Sequence, residues 1–213
     1  MLTVQIFTFS PIQENTYVIY NEHRNCIIFD PGCYDEEEKQ TLAGFIAQNG
    51  LQPVQLVNTH CHLDHIFGNQ FVCQTYGLMP CFHPKEDEMF KLAPSSGLMY
   101  GLPFEMYSGP VKHLKEGETL TLDEDTFSIL FTPGHSPGSL SFYSAANGFV
   151  ISGDALFNGS IGRTDLPGGN YDQLIQSIKS QLLTLPEDTL VYSGHGPVTT
   201  IGAEKKHNPF LTD

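Results

Sequence analysis

The chain has 213 residues, enough for one domain with a sizeable core, or one domain with a modest lid, and too few for a second catalytic domain. Hydrophobic residues make up 40% of it and charged residues 16%, a globular composition. Its formal net charge of -14 disfavours nucleic acid and anionic membranes as partners, since phosphates are bound by Lys and Arg clusters; bound divalent cations would offset that charge locally.

Cys26, Cys33, Cys61, Cys73 and Cys81 contain no CxxC pair, and five thiols cannot all pair within one chain, so reduced cysteines are expected. The opening segment has no basic stretch leading into a longer apolar run, and no apolar run approaches a bilayer's width; a cytoplasmic location is expected.

In chain order, Val4 to Phe9, Tyr17 to Tyr20 and Cys26 to Phe29 read as short strands of an antiparallel meander. Asp30-Pro31-Gly32 supplies a turn, and Glu36 to Gln48 a helix with acidic residues in its first turn and Asn49-Gly50 after its last. Gln55 to Asn58 is a strand that runs into Thr59-His60-Cys61-His62-Leu63-Asp64-His65, and Ile66 to Tyr76 is helical, closed by Gly77. Between Glu86 and Pro110, Met and aromatic residues mix with Pro, Ser and Gly without a clean period. This stretch reads as a loop packed over the core or a lid over an apolar pocket. Strands follow at Thr119 to Leu122, Phe127 to Phe131, Leu140 to Tyr143 and Phe149 to Ser152. Asn170 then caps a helix with Gln173 three residues on and an apolar face of Leu174, Ile175, Ile178, Leu182 and Leu183. A last strand, Leu190 to Ser193, leads into Gly194-His195-Gly196-Pro197. Two blocks of strands, each followed by a helix, point to two sheets with helices outside.

Four groups carry the chemistry. His60, His62, Asp64 and His65 follow directly on a strand, where loops that leave a sheet collect ligands. Imidazole and carboxylate suit a borderline metal, and the lack of a Cys-rich set argues for an open catalytic site over a closed structural one. His135, Asp154 and His195 each follow another β-rich run on a turn rich in small residues, which lets backbone approach an ion closely. Cys61, by alternation, turns into the core. His23, His83, His113 and His207 lack the strand-end context and read as surface or packing residues, while Arg163 and Asp165 are expected to form a buried pair that braces their loop.

Asn15-Thr16-Tyr17, Asp30-Pro31-Gly32, the His60 to His65 segment, Thr132-Pro133-Gly134-His135-Ser136-Pro137-Gly138, Ser152-Gly153-Asp154, Gly162-Arg163-Thr164-Asp165 and Gly194-His195-Gly196-Pro197 resemble, in kind and order, the motifs of the metallo-β-lactamase superfamily. The similarity is strongest to its glyoxalase II-like, or hydroxyacylglutathione hydrolase-like, members. It implies an α/β fold, a four-layer αββα sandwich. It also implies two divalent ions, zinc first with iron or manganese compatible. His60, His62 and His135 would hold one, Asp64, His65 and His195 the other, and Asp154 would bridge them. The implied reaction is hydrolysis of a small-molecule thioester or ester by water activated between the ions, with Asp64 as the catalytic residue that orients it. The alternative is a mononuclear Fe(II) sulfur dioxygenase acting on persulfides, with His60, His135 and Asp154 as its facial ligands.

Overall fold

Val, Ile, Phe and Tyr dominate the N-terminal segment, and its backbone takes the extended form that such side chains favour. β1 (Thr3–Phe9), β2 (Glu14–Tyr20) and β3 (Asn25–Phe29) form the expected meander, with Thr3 opposite Tyr20 and Tyr17 opposite Phe29. The structure, a computed structural model, describes residues 1–212. Residues 1–82 with 87–114 make up one compact unit, and residues 83–86 with those from Lys115 onward a second.

In the first unit β4 (Gln52–Val57), β5 (Pro80–Phe82) and β6 (Lys112–His113) extend the sheet in parallel from β3. Strand β4 begins earlier than Pro53 allows in a regular ladder, and the register duly shifts there: Cys26 faces Pro53 and Ile27 faces Gln55. The crossover from β3 to β4 is α1 (Glu36–Gln48), whose first turn is capped by the Asp35 side chain on Glu38 N and whose Leu42 and Ile46 are buried beside Val18, Ile28 and Leu56. Because β3 and β4 run parallel, Asp30 and the His60 segment leave the sheet at the same edge.

The single helix expected over Ile66 to Tyr76 is two: α2 (Leu63–Ile66) and α3 (Asn69–Tyr76). Gly68 N donates to Pro31 O at 2.7 Å, which breaks the run, and Gly77 closes α3 in the left-handed conformation. Asp64 and His65 therefore sit on a helical turn, and Asn58 at the end of β4 holds that turn by its amide on His65 O at 2.9 Å. The stretch from Glu86 is no loop over its first part: α4 (Asp87–Met99) runs through Pro94. Met89, Phe90, Ala93 and Gly97 form one helical stripe, masked in the sequence by the breakers Pro94 and Gly97. Met89, Phe90 and Ala93, with Leu102, Phe104 and Met106, pack on Cys61, Leu63, Ile66 and Phe67. Cys61 thus points into this core, as expected.

The second unit carries the sheet order β14-β13-β10-β9-β8-β7, from β7 (Thr119–Leu122), β8 (Asp125–Phe131), β9 (Leu140–Ser144), β10 (Phe149–Gly153), β13 (Leu190–Ser193) and β14 (Thr199–Thr200). β11 (Leu156–Phe157) and β12 (Ser160–Ile161) make a separate hairpin. Asn170 caps α5 (Tyr171–Ser177) through Gln173 N at 2.9 Å, and the helix runs on as a π turn over Ile178–Leu182. Leu174, Ile178 and Leu182 bury against Val150, Val191 and Ile201, the last from α6 (Ile201–His207). β10 and β13 are the parallel pair, and Gly194 N donates to Gly153 O at 2.9 Å, so Asp154 and His195 emerge side by side. No helix among the described residues is long and apolar enough to cross a membrane.

All five cysteines are buried and none is in a disulfide. Burial pushes the thiols of Cys26, Cys33 and Cys73 up to about 12, and the thiolate is the reactive form. Native protein at pH 8 should therefore leave these three unmodified by a thiol reagent, whereas the denatured chain should react at all five. Rapid labelling of Cys26, Cys33 or Cys73 in the native state would contradict this packing.

Candidate metal centre

Asp30 follows β3 and is buried. Its Oδ1 accepts from Thr59 N and its Oδ2 from the Thr59 hydroxyl, both at 2.7 Å. A hydroxyl has one hydrogen, so with it given to Asp30 the Thr59 oxygen is left to accept from His60 Nδ1, 3.1 Å away. That places the His60 proton on Nδ1 and leaves Nε2 to bind. His65 Nδ1 lies 3.0 Å from the same Asp30 Oδ2, and the carboxylate favours the same tautomer there. The His60 and His65 rings are 4.0 Å apart by centroid, His60 and His62 4.8 Å, and His65 Nε2 is 3.7 Å from Asp64 Oδ2. His62 is only half-buried, which leaves that side of the cluster open to solvent.

A further acid stands behind His65 that sequence reasoning missed. Glu14 is completely buried, with Oε2 2.9 Å from the Thr16 hydroxyl and Oε1 3.9 Å from His65 Nδ1. Gly32 makes room for it, since a Cβ there would overlap Glu14 Oε2 and crowd Asp64 O. Burial raises the Glu14 carboxyl well above the usual range, the His65 charge opposing and Asp30 adding to it. The only sequence signal was a carboxylate in the run before Tyr17, at a position of β2 that faces inward.

In the second unit, His135 Nδ1 is 2.8 Å from Arg163 O. A carbonyl only accepts, so this ring too carries its proton on Nδ1 and presents Nε2. His135 Nε2 lies 3.4 Å and His195 Nε2 3.6 Å from one atom, Asp154 Oδ2. Gly162 permits the approach, for a Cβ at that position would overlap Asp154 O and press on His135 Nδ1. The loop is thus braced by backbone. The Arg163–Asp165 pair, expected to be buried, is bidentate at 2.8 Å on both arms but exposed, and the guanidinium holds the Asp165 carboxyl at about 2. Screened by solvent, such a pair contributes little to the loop. His83, read as a packing residue, is buried against the Phe131 ring, and His113 pairs with Asp87 at the surface.

Each unit thus gathers its share of the residues singled out in the sequence: His60, His62, Asp64 and His65 in the first, His135, Asp154 and His195 in the second. Their spacing discriminates between two uses. A charge-assisted N–H···O bond is about 2.7–2.9 Å long, whereas two ligands each about 2.1 Å from a tetrahedral ion stand about 3.4 Å apart. The imidazole to carboxylate separations of 3.4, 3.6 and 3.7 Å match the second. An all-nitrogen and oxygen donor set with pinned tautomers fits a borderline divalent metal.

A model of the metallo-β-lactamase superfamily matches residues 10–195, a span that includes all seven of these residues. The chain belongs to the metallo-β-lactamase superfamily. Among superfamily relatives it is 43% identical over 204 residues to "Probable metallo-hydrolase YqgX" of Bacillus subtilis, covering 94% of this chain and 93% of that one. It is 36% identical over 212 residues to hydroxyacylglutathione hydrolase GloC of Haemophilus influenzae, covering 99% and 98%. The fold matches BLEG-1 B3 metallo-β-lactamase with a TM-score of 0.91 at 41% identity, over 99% of this chain and 100% of that one. It matches TTHA1623 in a di-iron-bound form with 0.88 at 38%, over 98% and 100%. ETHE1 from Myxococcus xanthus follows with 0.79 at 28%, over 97% and 83%. The metallo-β-lactamase fold expected from the sequence is the one observed, and its His and Asp clusters support a divalent metal site in a family of metallo-hydrolases.

Glu14 gives a pH test on metal-free protein. Its proton is kept in the folded state and lost from the unfolded chain above about pH 4.3, so its contribution to stability is full below that pH and falls as pH rises through the folded value. Metal-free Glu14→Gln should melt with the wild type near pH 4 and increasingly above it towards pH 8. A difference in melting temperature that shrinks with rising pH would contradict the buried acid.

Proposed function

We propose that this chain is a dinuclear metal-dependent hydrolase of small-molecule thioesters, of the S-acyl thiol kind represented by hydroxyacylglutathione. His60, His62 and His135 would hold one ion, Asp64, His65 and His195 the other, with Asp154 shared. The observation that carries this reading is Asp154 Oδ2, approached at 3.4 and 3.6 Å by the Nε2 atoms of two histidines that belong to different ligand sets. A carboxylate placed in that way is suited to bridge two ions. The relative named as a hydroxyacylglutathione hydrolase, aligned over nearly the full length of both chains, supports the substrate class, and the di-iron-bound neighbour supports two ions.

Bound divalent ions, zinc by preference, supply Lewis acidity and water that is reactive near neutral pH. The chain's own residues do the rest. Asp64, on the first turn of α2 with Oδ2 3.7 Å from His65 Nε2, accepts a hydrogen bond from the attacking water and aims it at the acyl carbon. His62 and His195 are the half-buried members of the set. A thiolate leaves without a general acid, so no further protein acid is required.

The mononuclear Fe(II) reading, an oxygen-consuming sulfur dioxygenase with His60, His135 and Asp154 as ligands, has the weaker support. His195 is retained beside Asp154 and would have no ion to serve. Protein loaded with zinc, iron or manganese and dialysed should hold two ions per chain and release thiol from a panel of glutathione and other thioesters. Asp64→Ala should lower kcat about 10²- to 10⁴-fold with its thermal midpoint little changed. Metal-loaded protein that cleaves no thioester or ester, or that holds one iron and consumes oxygen with a persulfide, would overturn the proposal.

A further inference from the structure

The loop Thr132 to Ser139, which carries His135, is bonded to its own unit at several points. Asn170 N donates to Gly134 O and the Ser177 hydroxyl to Pro133 O, both at 2.7 Å, and these hold the residues before His135. The residues after it are held by a carboxylate. The Ser136 hydroxyl and Gly138 N both donate to Glu86 Oε1 at 2.6 Å. Glu86 is fully buried and comes from the 3-10 turn Pro84–Glu86, 50 residues earlier than Ser136.

Two bonds of that length converging on one oxygen are at the short end of the range for proteins. They grip the ligand loop one and three residues beyond His135, while Arg163 O sets the ring itself. Other buried acids serve different ends. Asp30 lies beside His65 and reaches His60 through the Thr59 hydroxyl, and Glu204 binds Thr199, Asn208 and Gly159 to secure α6.

We infer that Glu86 is a positioning residue for metal binding through His135: it fixes the height and direction from which Nε2 reaches the ion. The inference rests on the reading of His135 as a metal ligand. Glu86→Gln keeps an oxygen that accepts both bonds, Glu86→Ala removes both, and Ser136→Ala removes one.

The test compares these three variants with wild type in zinc affinity, by competition with a chromophoric chelator. It adds deuterium uptake over residues 132–139 in the metal-free proteins, a readout that needs neither metal nor turnover. Glu86→Ala should bind one zinc about 10- to 100-fold more weakly and exchange faster across the loop. Ser136→Ala should fall between it and wild type, and Glu86→Gln should lie close to wild type in both. A folded Glu86→Ala that binds zinc as wild type does overturns the inference; if that variant does not fold, wild-type affinity and exchange in Ser136→Ala overturn it instead. Faster exchange with no loss of affinity makes Glu86 a structural brace only and also overturns it. Failure of the two-ion reading is seen separately, as a wild-type protein that takes up fewer than two zinc ions, and the variants are then compared on the ion that remains.

Discussion

An imidazole offers a metal one nitrogen at a time, and the partner of the other nitrogen decides which. In this chain Asp30 makes that choice for His60 through the Thr59 hydroxyl, and its Oδ2 lies 3.0 Å from His65 Nδ1. The Arg163 carbonyl makes it for His135. Everything else about the site follows from the Nε2 edges being left to face carboxylates at 3.4 to 3.7 Å. Such outer partners fix both tautomer and ring orientation, so their geometry is as much a part of the centre as the ligands.

The same arrangement sets an electrostatic demand. Glu14, Asp30, Asp64, Glu86 and Asp154 are all buried, and no Lys or Arg is buried among the described residues. Taking a carboxylate out of water without a counter-charge costs several kcal/mol. Backbone and hydroxyl donors meet that cost for Asp30 and Glu86, while Asp64 and Asp154 have imidazoles beside them. Divalent cations are the counter-charge that such a set of buried acids calls for. Gly32 and Gly162 contribute by what they lack: a Cβ at Gly32 would overlap the Glu14 carboxyl and crowd Asp64 O, and one at Gly162 would overlap Asp154 O and press on the His135 ring.

Much of this was legible in the sequence, because the candidate ligands lie on short turns after β-rich runs and those runs are strongly patterned. Helix Glu36 to Gln48, strand Thr119 to Leu122 and the Asn170 cap were readable from local residues alone. What escaped depends on contacts distant in sequence. Helix α4 is hidden by Pro94 and Gly97, breakers by propensity; Gly97 lies where a Cβ would crowd Leu102 O and the Phe104 ring. The split at Phe67-Gly68 needs Pro31 O, and the Asp165 pair turned out solvated because the loop's brace is its backbone. Glu14 and Glu86 look like any other acids in a sequence rich in them; only the folded chain shows the first behind His65 and the second beneath the His135 loop.

At the centre stands the proposal that these residues hold a pair of ions through nitrogen and oxygen alone. X-ray absorption on the zinc-loaded protein addresses it most directly. The proposed pair of ions should give a first shell of light atoms with imidazole scattering, no sulfur, and a metal–metal vector of about 3.5–4 Å. A sulfur shell, or a zinc-loaded protein without any metal–metal vector, would contradict it.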